Sequence, residues 1–87
     1  MKPGAEKGSL RDERTILTAI EVAKDIDSPR LLADQMRNLG NLYLNRGELR
    51  SAENNVLGAI AIYTRLGQRR GLASAHNLLG LIPQRAG

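Results

Sequence analysis

From Arg30 onward, apolar residues return every three or four positions, at Leu32, Met36, Leu39 and Tyr43, with Leu42 beside them. This spacing predicts one face of an α-helix. Ser28-Pro29 marks its start, because a hydroxyl caps free N–H groups and proline fits the first helical position. Gly47 predicts its end. A second stripe begins near Glu48 with Leu49, Ala52, Val56, Ala59, Ile60 and Tyr63, and Gly67 closes it. Upstream, Leu10–Ile26 carries the second pattern at Ile16, Ala19, Ile20 and Ala23. Downstream, Gly71–Ile82 carries the first at Leu72, Ala75, Leu79 and Ile82. No segment alternates with the period of a strand, so the fold expected is all-α. Gly58 lies inside a helix, where it costs about 1 kcal/mol relative to alanine; we read it as a point of close helix contact.

The order of patterns is itself a repeat. A shift of 40 residues aligns Glu13–Gly47 with Glu53–Gly87 without a gap and gives ten identities in 35 positions. They include Leu17/Leu57, Ala19/Ala59, Ile20/Ile60, Ala33/Ala73, Leu39/Leu79 and Gly40/Gly80. Chance would give roughly two or three at ordinary composition. A period of this size predicts stacked helical hairpins, each burying its apolar face against the next.

The residues Ala33, Met36, Leu39, Gly40, Tyr43, Gly47, Ala52, Val56 and Ala59 fall in the order of a tetratricopeptide (TPR) repeat, which the chain resembles from about Leu10 to Gly87. The 40-residue period is similar to the long variety in Pins-like and kinesin-light-chain-like arrays. Leu66-Gly67-Gln68-Arg69-Arg70-Gly71 resembles the Leu-Gly-x-Arg-Arg-Gly linker of some bacterial regulators. The resemblance implies a TPR-like α-α superhelix of antiparallel hairpins, about two repeats with one complete, Ala33 to Leu66. It also implies a non-catalytic protein–protein interaction scaffold. Three positions depart from the family pattern. Met36 stands where Trp is typical, Asp12 takes the place of the small residue at Ala52, and Pro83 replaces Tyr43. Pro83 removes a backbone donor, so the last helix is expected to stop or kink near Ile82.

Composition narrows the chemistry. The 87 residues suit one small domain, residues 10–87, preceded by a flexible arm at 1–9 containing Pro3, Gly4 and Gly8. There is no cysteine, so disulfides, thiol catalysis and cysteine zinc sites are excluded. The aromatics are two tyrosines, too few for a base-stacking platform. Net charge is +4, with ten arginines scattered along the chain apart from the Arg69-Arg70 pair. That balance makes contact with nucleic acid, as a basic helical domain in a regulator, the alternative to a protein partner. Arg69-Arg70 is read as capping or favouring a helix end. No apolar run approaches the ~20 residues that span a bilayer. The beginning of the chain has no secretory pattern, so the expected location is cytoplasmic. No arrangement of nucleophile, base, phosphate-binding glycines or metal ligands stands out, so no enzymatic activity and no cofactor are expected.

Asp34, Asn38, Asn41 and Asn45 share one helical face, with Arg37 alongside. Asparagine amides both donate to and accept from a peptide backbone, and arginine binds carboxylates bidentately. These five residues are the expected peptide- or partner-binding site. In the long-repeat family, asparagines at the positions of Asn38 and Asn41 are associated with extended peptides. In the second copy, Leu78 and Leu81 replace Asn38 and Asn41, and with Ile82 they are assigned to self-association. The terminal half-repeat predicts a homodimer that completes the array, or a piece of a longer one. His76, at the position of Met36, is read as a packing residue, and Tyr43 and Tyr63 as structural.

Overall fold

The computed structural model describes residues 4–83, with side chains from Asp12 to Pro83. Four helices follow one another: α1 (Gly4–Asp25), α2 (Pro29–Asn45), α3 (Leu49–Leu66) and α4 (Arg69–Leu81). No strand occurs among the described residues. α1 starts earlier than the apolar spacing indicates. Gly4–Ser9, expected to belong to a flexible arm, are helical. Residues 1–3 and 84–87 of the sequence-based domain limits lie outside the described residues.

Each turn has a local cause. Ser28 caps α2, its hydroxyl accepting from the Leu31 N–H at 3.2 Å. Gly47 and Gly67 follow α2 and α3 with φ of +78° and +68°, a region costly for side-chain-bearing residues. Asp27, the repeat counterpart of Gly67, occupies the same region at φ +55°. α4 stops at Leu81, and Ile82 ahead of Pro83 is extended, as the clash of a proline ring with the preceding residue requires.

The short connections make consecutive helices antiparallel neighbours. α1 packs on α2, α2 on α3 and α3 on α4, while α4 also touches α2. The molecule is a slab of 44 × 36 × 21 Å, about two helix diameters deep. Its core is built on small residues: Ala33, Ala52, Ala59 and Ala75 are fully buried around Val56 and Tyr63. Gly40 lets α2 close on α3. A Cβ placed on it would stand 2.5 Å from Val56 Cγ2 and 3.3 Å from the Ala52 carbonyl oxygen. Gly58 is a second close approach, covered by the end of the Met36 side chain.

Two phenol–carboxylate pairs tie the helices across the sequence. Tyr43 Oη donates to Glu13 Oε2 at 2.8 Å, joining α2 to α1. Tyr63 Oη donates to Asp34 Oδ1, joining α3 to α2. Arg46 completes the first pair, 2.6 Å from Glu13 and 2.9 Å from Glu48, with its guanidinium 5.6 Å from the Tyr43 ring centre.

Two readings of the last helix change. His76 is exposed rather than packed. Met36 is covered because α3 stands over it, and among the described residues no helix stands in that relation to α4. Leu78 and Ile82, assigned to self-association, are buried in the chain's own core, while Leu81 is 68% exposed. Ala75, Leu78 and Ile82 form the row turned inward here, so of the three residues assigned to self-association only Leu81 offers its side chain to solvent.

Candidate functional site

The exposed face of α2 follows from its heptad-like spacing. Once Ala33, Leu39 and Gly40 are turned inward, the residues at 38, 41 and 45 must point outward. Asn38, Asn41 and Asn45 are all exposed. Their amides form no hydrogen bond within the described residues, whereas Asn55 donates to the Ser51 carbonyl at 2.9 Å. Three consecutive turns of α2 therefore present unengaged donors and acceptors side by side.

Asp34 and Arg37, the other two residues of the row, are half-buried. Asp34 is committed to Tyr63, so it acts first as a helix clamp. Arg37 lies close enough to Tyr63 to act on its phenol electrostatically and forms no ion pair within the described residues. Burial of Tyr63, reinforced by its bond to Asp34, pushes the phenol up to about 12. It stays protonated and donating throughout the physiological range. The row is thus graded, from a fixed acid–phenol pair near the start of α2 to solvent-facing amides near its end.

The Glu13 cluster has the complementary logic. Hydrogen bonds from Arg46 and then Tyr43 hold the Glu13 carboxyl below its ordinary value, while burial and then Glu13 itself raise the Tyr43 phenol. All three groups are engaged with one another, which suits a structural tie. Among the described residues, no group of three or more His, Cys, Asp or Glu is placed to hold a metal ion, and none of the four helices is long and apolar enough to cross a membrane.

A cleft of about 360 Å³ opens where the α1–α2 turn meets the end of α3. Pro29 and Leu32 of α2 meet Ile62, Arg65 and Leu66 of α3 there, with Ala23, Lys24, Asp27 and Ser28 closing the rim. Sequence reasoning did not single out this junction. Its signal was present only as the apolar pair at the end of each second-type helix, Val22/Ile26 and Ile62/Leu66.

Comparison with family models, with curated proteins and with solved structures returns no match for this chain.

Proposed function

We propose that the chain is a non-catalytic protein–protein interaction scaffold, a TPR-like superhelical module that holds an extended peptide or partner segment along α2 and associates with further copies of itself. The observation that carries the reading is the row of unengaged amides at Asn38, Asn41 and Asn45 beside Arg37. An extended peptide has a backbone donor and acceptor at almost every residue, and primary amides match both. Arg37 adds a preference for a carboxylate on the bound segment. The scattered arginines and the absence of a base-stacking platform make nucleic acid the less suited ligand.

Fluorescence anisotropy against an array of labelled extended peptides and a labelled DNA duplex, each at low and high salt, tests this. Peptide binding with a shallow salt dependence is expected, weakened roughly fivefold by Asn41→Ala, the value of a typical hydrogen bond. Duplex binding that collapses with salt, or an array with no bound peptide, overturns the proposal.

A further inference from the structure

The repeat allows each outer helix to be compared with an inner copy of itself. α3 is the inner copy of α1, displaced by 40 residues, and α2 is the inner copy of α4. In the inner pair, one row of α2 (Ala33, Met36, Gly40) packs against one row of α3 (Ala52, Val56, Ala59), with Ala33, Gly40, Ala52, Val56 and Ala59 all buried. The same two rows open in the outer helices. Asp12 is exposed, and Ile16 and Ala19 are only half-buried, on α1. Ala73, His76 and Gly80 are exposed on α4. A Cβ placed on Gly80 meets nothing within 4 Å, whereas one on Gly40 strikes α3. By contrast Leu17 and Leu57 are 44% and 45% exposed, so exposure there is a property of the repeat and not of its ends.

The two open rows are therefore the counterparts of the two halves of the α2–α3 interface, one on α1 and one on α4. We infer that α4 of one copy seats on α1 of a second copy, head to tail, reproducing the α2–α3 packing between molecules. Shifting the inner contacts by 40 residues names the pairs. Gly80 faces Ile16, and His76 faces Thr18, as Gly40 faces Val56 and Met36 covers Gly58. The cleft residues transpose as well. Pro29 and Leu32 against Ile62, Arg65 and Leu66 become Arg69 and Leu72 against Val22, Asp25 and Ile26. That transposition closes over Val22 and Ile26, which are 47% and 60% exposed. It also sets Arg69 opposite Asp25.

Charge agrees with this pairing. Asp12–Asp27 carries five carboxylates against Arg14 and Lys24, while Arg69–Pro83 carries two arginines and no carboxylate. Neither end is suited to pair with its own kind, since α1 against α1 brings carboxylates together and α4 against α4 brings arginines together. Two residues of α1 are mismatched: Thr18 stands where Gly58 makes room for the end of the Met36 side chain, and Asp12 where Ala52 is fully buried, and it is Asp12 that carries a charge. Burying its carboxylate opposes association and keeps the contact reversible. A heterologous contact of this kind does not close by two-fold symmetry, so it propagates into a ring or an open chain.

The inference deepens the self-association part of the proposed function and is tested apart from peptide binding. Sedimentation equilibrium of the wild-type chain is expected to show an average mass rising with concentration past that of a dimer. Gly80→Leu fills the slot on α4 and Thr18→Arg blocks the facing position on α1; both positions are exposed, and circular dichroism checks that each variant remains helical. Each variant alone is expected to be monomeric. Mixed, they form a 1:1 complex, because one retains a free α1 row and the other a free α4 row. Asp12→Ala is expected to tighten wild-type association by roughly tenfold. A monomeric wild-type chain overturns the inference. So does a Thr18→Arg variant that still dimerises, or a mixture that stays monomeric, since either points to a symmetric contact or to a different occupant. Peptide anisotropy on the Gly80→Leu monomer reads the amide row independently. Binding retained there with no association in the wild type refutes only the stacking.

Discussion

Gly40 and Gly80 occupy the same place in successive repeats, yet replacement by alanine is expected to change stability in opposite directions. At Gly40 the added methyl would overlap Val56 Cγ2, 2.5 Å away, and crowd the Ala52 carbonyl at 3.3 Å. Val56 is fully buried and β-branched, so it has little rotamer freedom with which to retreat, and the carbonyl belongs to a helix. Overpacking of this kind costs about 1–3 kcal/mol, against a gain of up to about 1 kcal/mol in helix propensity. The expected net effect is a loss of about 1–2 kcal/mol. At Gly80 an added methyl would meet no neighbouring atom of the described residues within 4 Å outside its own helix backbone, so only the propensity gain operates. It is reduced by the position near the end of α4, leaving a gain of roughly 0.5 kcal/mol. Urea unfolding followed at 222 nm, in chain dilute enough to be monomeric, reads both. For a domain of this size 1 kcal/mol corresponds to about 4–8 °C in melting temperature, so the two variants should separate clearly in a thermal scan as well. If both alanines stabilise alike, α2 does not close on α3 at Gly40, and the interface transposed to the chain ends fails with it.

Tyr63→Phe tests the buried phenol. A folded-state value raised to about 12 from 10 contributes stability that is complete below pH 10 and is lost as pH rises toward 12. Thermal melts should therefore fall over that window in the wild type and less so in the variant, which also loses about 1 kcal/mol at neutral pH with its bond to Asp34. Glu13→Gln probes the opposite limb. The lowered carboxyl contributes stability present above its ordinary 4.5 and lost as pH falls through the folded value, so acid titration of the melting temperature should flatten in the variant. Asp27→Gly relieves a left-handed residue at φ +55°. A gain of about 0.5–1 kcal/mol in chemical denaturation is expected, the steric relief less the added freedom of glycine in the unfolded chain.

Helix type, helix order and turn positions were legible because each rests on local physics. Apolar spacing gives the helix, Ser28-Pro29 its start, and Gly47, Gly67 and Pro83 its stops. The start of α1 was not legible, since Gly4 and Gly8 are poor helix formers by propensity alone. Burial within α4 was not legible either. Repeat alignment gives the phase of a helix, but which face is covered depends on which neighbours are present. His76 follows Met36 in phase and loses its cover. Leu78 follows exposed Asn38 in phase and is buried. The amide row at Asn38, Asn41 and Asn45 could be read directly because an amphipathic helix fixes its outward face once its inward face is known. The commitment of Asp34 to Tyr63 could not, because their pairing joins residues on different helices.

The mainly nearest-neighbour packing of the helices also governs how the molecule comes apart. Among the described residues α1 rests on α2 alone, whereas α2 and α3 are each flanked on both sides. Backbone amides should accordingly exchange with solvent in a gradient, earliest in α1 and α4 and latest along the α2–α3 seam. Contacts between adjacent helices close only short loops of chain, so the central hairpin should assemble rapidly and act as the template on which the two flanking helices zip inward from either side.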